Sequence, residues 1–313
     1  MKKNSKIYVA GHTGLVGSAI IRKLKAEKFN NIITKEIDEL NLINSAAVVD
    51  FFKNEKPEYV FLAAAKVGGI LANNTKKAEF IYENLQIQNN IIHNSYLNNV
   101  KKLLFLGSSC IYPKLCPQPI KEEYLLSGYL EETNNAYAIA KIAGIIMCQS
   151  YNLQYGTNFI CAMPTNLFGY NDNFDLSSSH VLPALIRKFH EAKINMQDKV
   201  TIWGTGKSKR EFLFIDDLAD ALLFLMKNYN DSEIINVGTG KDITITDLAL
   251  LIKDIIGFKE NIEYDTSKPD GTPQKLLDVS KINNIGWKAK TSLREGIEST
   301  YNWFLNNYKN IRK

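Results

Sequence analysis

The sequence predicts an α/β protein, a doubly wound parallel sheet with a smaller α/β lobe built from the C-terminal part of the chain. Three observations carry this. Strand-type and helix-type segments alternate through the first half, a glycine-rich turn joins the first strand to the first helix, and the texture changes after Pro164. Such alternation gives a parallel sheet with helices on both faces, because right-handed crossovers return each strand beside an earlier one.

Residues 6–10 form a short apolar run of strand type, and runs at 31–34, 59–64, 103–107 and 159–163 repeat it. Helical periodicity fills the intervals at 15–28, 45–54, 80–98 and 134–155. The first strand leads into Gly11-His12-Thr13-Gly14-Leu15-Val16-Gly17. Gly11 allows the tight turn, Gly14 lets the backbone approach a pyrophosphate, and Gly17 lets the helix pack on the sheet. The helix start then offers free N–H groups and a positive dipole end to the phosphates. This context predicts a Rossmann-type dinucleotide site; glycines serving only to reverse the chain are the alternative. Beyond Pro164, residues 166–173 read as loop, 181–193, 217–227, 246–256 and 292–306 as helices, and 200–206, 211–215 and 233–237 as strands. With no repeat and no long linker, the lobe must interleave with the sheet. The expected division is 1–165 plus 211–240 for the dinucleotide-binding domain and 166–210 plus 241–313 for the substrate lobe. The active site is expected in the cleft between them, at the carboxyl ends of the strands.

Bulk properties exclude several classes. A chain of 313 residues with 45% apolar and 23% charged content is that of a soluble globular protein. The net charge of +5 is spread along the chain apart from doublets such as Lys76-Lys77, which argues against a nucleic-acid footprint and suits an anionic small molecule. No apolar run approaches the ~20 residues of a membrane span. Four cysteines, at 110, 116, 148 and 161, form no Cys-x-x-Cys, and no histidine pair has zinc-ligand spacing. A reducing cytoplasm and small core roles for Cys148 and Cys161 are expected.

Tyr137 and Lys141 lie four positions apart on one face of a predicted helix. A nearby ammonium lowers the pKa of a phenol, so the pair can shuttle a proton to a sugar or alcohol oxygen; a half-buried Tyr beside a solvated Lys fits the same spacing. The fourth strand ends in Gly107-Ser108-Ser109-Cys110. In extended chain Ser108 and Cys110 point the same way, toward the cleft near Tyr137. The serine can hydrogen-bond the oxygen that Tyr137 serves, and a thiolate at Cys110 could remove a carbon-bound proton. The plainer readings are strand-end turn chemistry and a buried small residue. His180 starts a helix, where it is either an acid–base group or a surface histidine.

Together these motifs resemble the extended short-chain dehydrogenase/reductases and, more narrowly, the GDP-L-fucose synthase family of GDP-4-keto-6-deoxy-D-mannose epimerase-reductases. The shared runs include 63–70, 106–113, 137–144, 163–167, 179–181 and 268–273, and the match covers nearly the whole chain. The resemblance implies epimerisation at carbons 3 and 5 and NADPH-dependent reduction at carbon 4 of a GDP-4-keto-6-deoxy-sugar, with NADH as the alternative cofactor. It implies that Tyr137 protonates the oxygen, Lys141 tunes it and holds the nicotinamide ribose, Ser108 orients the ketone, Cys110 is the base and His180 the acid. It places the cofactor on 11–17, Lys35, Asp38, Asn41, Leu42, Ala63, Ala64, Ala65, Leu106, Gly107, Ser109, Lys141, Pro164, Thr165, Asn166, Leu167 and His180. It places the GDP-sugar on Lys188, Trp203, Arg210, Lys268 and Asp270, in a cytoplasmic homodimer. The family's two arginines for the NADP 2′-phosphate are replaced by Thr13 and Ile37, with Lys35 nearby. A 4,6-dehydratase would need an acidic pair at 109 and 110, and a 4-epimerase would need no Cys–His pair. A reductase without epimerase activity, on a GDP-hexose or GDP-heptose, is the nearest rival. A non-catalytic dinucleotide sensor is expected to lack Tyr137 or Lys141.

Overall fold

The computed structural model describes residues 1–268 and 270–311; Pro269, within one of the family-like runs, lies outside the described residues. The first unit runs β1 (Ile7–Ala10), α1 (Leu15–Ala26), β2 (Ile32–Ile33), α2 (Ser45–Glu55), β3 (Tyr59–Leu62), α3 (Ile70–Thr75), α4 (Lys77–Leu97), β4 (Lys102–Leu106), α5 (Asn135–Tyr155) and β5 (Phe159–Pro164). There follow β6 (Asn166–Phe168), α6 (Val181–Ile194), β7 (Lys199–Trp203), β8 (Lys209–Phe214), α7 (Ile215–Asn228) and β9 (Ile235–Val237). The chain closes with β10 (Asp242–Thr244), α8 (Ile245–Ile256), β11 (Asn261–Asp265), β12 (Gln274–Lys275), α9 (Ser280–Asn284) and α10 (Leu293–Asn307).

Six parallel strands form the main sheet in the order β2-β1-β3-β4-β5-β9. Side chains alternate between two cores. Ile7, Val9, Phe61, Leu104 and Ile160 enter one, which runs on into the lobe, while Tyr8, Val60, Leu103, Phe105 and Phe159 enter the other. Burial on both faces explains why these strands read as continuous apolar runs. α1 and α7 pack together on the first face, and α4 packs against α2 and α5 on the second. The strand order reverses between β1 and β3, which opens a crevice at their carboxyl ends.

Helix ends follow local chemistry. Asn44 caps α2 by accepting from Ala47 N–H, Thr244 caps α8, and Ser292 with Glu295 forms a capping box on α10. α5 ends at Gly156, in the left-handed region at φ 67°. Buried Lys102 donates to the carbonyls of Leu225, in the last turn of α7, and of its C-cap Tyr229, so its charge faces the negative end of the helix dipole.

The lobe departs from expectation in two places. Residues 166–168, expected as loop, form β6, which pairs in parallel with β8. Residues 211–214, expected in the dinucleotide domain, lie in β8, the strand that β6, β10 and β12 all join. The chain returns to the main sheet only at α7. A three-residue strand with Asn at its start gives too little alternation to separate from a turn.

Candidate active site

The glycine turn is set by close backbone approach. Gly11 has φ +82°, and a Cβ there would stand 2.8 Å from the Ala64 backbone. A Cβ on Gly17 would stand 2.0 Å from the Gly11 carbonyl oxygen, so that approach of α1 excludes any larger residue. Gly14 differs: its Cβ would meet nothing nearer than 3.6 Å, so its outer side is open. Gly14 is also the N-cap of α1 and no side chain caps that end. The first N–H groups of α1 thus stay available to an anion beside a backbone a phosphate can approach. Leu15 and Val16 pack against the core below, Ala63 and Ala64 just past β3 face Gly11, and Ala65 follows them half-buried. These residues fit a dinucleotide pyrophosphate. At the far end of the crevice, His12 Nε2 lies 3.1 Å from Glu36 Oε1, and Lys35 pairs with Glu39 at 3.6 Å. Thr13, Asp38 and Asn41 are exposed, and Leu42 holds Asn90 through its carbonyl.

α5 brings Tyr137 and Lys141 to the ends of β4 and β5. A Cβ on Gly144 would stand 2.4 Å from the Phe105 ring, so glycine lets the helix sit low on β4. Lys141 is buried, and its Nζ donates to the Leu106 carbonyl at 2.8 Å. Burial lowers its pKa from 10.5 to about 7. The expected effect on Tyr137 is reversed in sign. Burial pushes its phenol well above the ordinary value, Cys110 adds to the shift, and the Ser108 hydroxyl offsets part of it. Desolvation dominates, and Lys141 is itself pushed toward losing its charge, so the phenol rests in its proton-bearing form. Gly107 lies so close to β5 that a Cβ would meet Met163 Sδ at 2.3 Å.

Ser108 and Cys110 do share the site, though by a different geometry from the one expected. Ser108 caps a single 3₁₀ turn at Ser109–Ile111, accepting from Cys110 N–H at 3.3 Å. The turn buries Ser109 and swings Cys110 back beside Tyr137. Two donors converge on the Cys110 sulfur: Asn134 Nδ2 at 3.4 Å and Lys275 Nζ at 3.7 Å. Neither is legible from sequence, since Lys275 comes from β12, which only the fold brings here. His180 is the N-cap of α6. It is exposed by surface area, yet protein crowds its imidazole, and that crowding together with Lys275 holds its pKa below the ordinary histidine value. Asp175 fixes the preceding turn through Ser177 and Ser178, and Gly69 fits against Ser178 and Ser179 where a side chain could not.

The lobe supplies the outer wall. Trp203 is half-exposed, with Lys188 Nζ 5.5 Å and Lys268 Nζ 5.6 Å from its ring centre. Two cations on one indole suit an anionic, flat ligand. Arg210 donates to the Lys209 and Asp270 carbonyls, and burial lowers its pKa. The Asp270 carboxylate is engaged by Thr205 N–H and Oγ1, both at 2.8 Å, so it shapes the 204–206 turn. Pro164–Leu167 is held from behind: Thr165 and Asn166 both donate to the Glu211 carbonyl. Among the described residues no cluster could hold a metal ion and no helix is long and apolar enough to cross a membrane.

Residues 7–238 match the model of the NAD dependent epimerase/dehydratase family. GDP-L-fucose synthase 1 of Arabidopsis thaliana is 58% identical over 308 residues, covering 98% of this chain and 95% of that one. GDP-L-fucose synthase of Escherichia coli is 52% identical, covering 98% of each. The GDP-mannoheptose C4 reductase MlghC of Campylobacter jejuni, solved with NADP bound, is 47% identical with TM-score 0.89 over 97% of this chain and 99% of that one. With a glycine turn, a buried Lys141 one helical turn from Tyr137 and this degree of likeness, the chain belongs to the NAD dependent epimerase/dehydratase family, in the branch that GDP-L-fucose synthases and a GDP-heptose reductase share.

Proposed function

We propose that the protein converts a GDP-4-keto-6-deoxy-sugar to GDP-L-fucose or a close relative, inverting carbons 3 and 5 and reducing carbon 4 with NADPH. The observation that carries it is the convergence of Asn134 and Lys275 on Cys110, beside Ser108, Tyr137 and Lys141. Carbons 3 and 5 both flank the carbon 4 ketone, so the ketone stabilises the enolate formed at either. A thiolate at Cys110, held by an ammonium and an amide N–H, is the base. His180 is the acid that returns a proton to the carbon. Ser108 orients the ketone oxygen, and the proton-bearing phenol of Tyr137 donates to it. NADPH, when bound, supplies the hydride to carbon 4. The 11–17 turn holds its pyrophosphate, Lys141 its nicotinamide ribose and 164–167 its nicotinamide side. Lys188, Lys268 and Arg210 answer the substrate diphosphate and Trp203 covers its flat base. The dinucleotide unit in this reading is 1–165 plus 215–240.

A second reading, reduction without epimerisation on a GDP-heptose, is favoured by the likeness to the heptose reductase. Proton NMR in deuterated water with each GDP-4-keto sugar and NADPH separates the two. Reduction with deuterium at carbons 3 and 5 supports the epimerase; reduction without it leaves the reductase. The exposed stripe Ile139, Ile146 and Leu153 on α5, with Tyr82 and Leu97 on α4, supports a homodimer through these helices. Light scattering of Leu153→Glu tests it. A catalytic thiolate suits a reducing compartment such as the cytoplasm.

A further inference from the structure

We propose that Glu36 reads the 2′ position of the adenosine ribose, so that this chain accepts NADH alongside NADPH. The inference rests on the dinucleotide reading of the glycine turn. In such folds an acidic residue about 20 residues beyond the last glycine accepts a hydrogen bond from the ribose 2′-hydroxyl, whereas a cation there accommodates a 2′-phosphate. Glu36 stands at that distance from Gly17, just past the end of β2, the strand beside the one that feeds the turn.

Its carboxylate is fastened to the turn itself, since Oε1 lies 3.1 Å from His12 Nε2. Its main-chain N–H donates to Glu39 Oε2 at 2.8 Å, which fixes the local backbone. The side chain remains 59% exposed, so the second oxygen can meet a ligand. The groups around it hold little positive charge. Thr13 is neutral, Ile37 is neutral and 72% exposed, and Lys35 has its ammonium 3.6 Å from Glu39. Residues 35–39 therefore set one cation against the carboxylates of Glu36, Asp38 and Glu39. A phosphate monoester brings about −1.5 to −2 charges near neutral pH, which these carboxylates oppose. A hydroxyl instead donates to Glu36 in a charge-assisted bond. NADPH then binds through Lys35, partly released from Glu39, and NADH through Glu36.

The test is equilibrium binding by calorimetry with four probes: NADH, NADPH, adenosine 5′-monophosphate and adenosine 2′,5′-bisphosphate. Wild-type Kd values for NADH and NADPH are expected within about tenfold of each other. Glu36→Ala should weaken NADH by about tenfold, the loss of one charge-assisted hydrogen bond, and tighten NADPH and the bisphosphate. Glu39→Gln, which frees Lys35, should tighten NADPH and leave NADH unchanged. A bisphosphate bound over 100-fold tighter than the monophosphate by wild type, or an unchanged NADH/NADPH ratio in Glu36→Ala, overturns the proposal. Failure of every probe to bind would remove the dinucleotide reading itself, a result distinct from either.

Discussion

Lys275 sets its ammonium 3.7 Å from the sulfur of Cys110, a contact between residues 165 positions apart that a two-residue strand, β12, makes possible. A fixed cation stabilises an anionic sulfur more than a neutral one. It acts on the step that needs the thiolate and leaves hydride transfer aside. Lys275→Met should slow deuterium exchange at carbons 3 and 5 by about 10²-fold, the low end of a general acid–base contribution. Reduction of an already epimerised keto sugar should keep most of its rate. Equal loss in both assays would make Lys275 a general support for substrate binding.

Glu211 is the buried anchor of that strand. Its carboxylate is fully buried and accepts from Thr239 N–H, Gly240 N–H and Leu277 N–H, the last only two residues beyond Lys275. Glutamine would turn a donor toward one of these N–H groups. Leaving one unpaired costs about 1–3 kcal/mol. Glu211→Gln should lower the melting temperature and, by loosening the 275–277 segment, reduce exchange at carbons 3 and 5 more than cofactor affinity. Measuring NADPH affinity and exchange on one preparation separates the two effects.

The pH dependence of stability follows from Lys141. Below about pH 7 both folded and unfolded chains carry its proton, and the penalty on the buried charge is full. Between about 7 and 10.5 the folded chain gives up the proton first, so stability climbs with pH across that window. Above it the penalty is gone. Lys141→Met removes the group, so the difference in melting temperature between variant and wild type should be largest near pH 6 and shrink toward pH 10. A constant difference would mean that Lys141 is charged throughout.

The main sheet and its helices were legible because both faces of each strand are buried and the intervening helices are long. The candidate site was legible where it sits on those elements, as with Tyr137 and Lys141 on α5 and Ser108 at the end of β4. What escaped depends on long-range assembly. Lys275 joins the site through β12, two residues long and too brief to read, while Glu211 lies on a strand that was legible but whose pairing with β6, β10 and β12 was not. The sign of the Tyr137 shift escaped for a related reason. Sequence spacing gives the distance to Lys141 but says nothing of the burial that dominates both groups. Glu36 escaped because its meaning comes from contact with His12 across the crevice.

In the proposed function epimerisation and reduction share one pocket yet use separable residues. Cys110→Ser exchanges a thiol for a far less acidic hydroxyl of similar shape, so the base is lost while Ser108, Tyr137 and Lys141 keep their places. Exchange at carbons 3 and 5 should vanish while hydride transfer to carbon 4 survives. Tyr137→Phe should do the reverse, lowering turnover of reduction by about 10²–10⁴-fold with little loss of binding. His180→Asn should let protons leave but misdirect their return, giving exchange without inversion. The deciding measurement is NMR of product formed in deuterated water by each variant. Wild-type protein that reduces the ketone with no deuterium at either carbon would assign Cys110 to structure alone, and its two donors would then serve to hold the 3₁₀ turn beneath Tyr137.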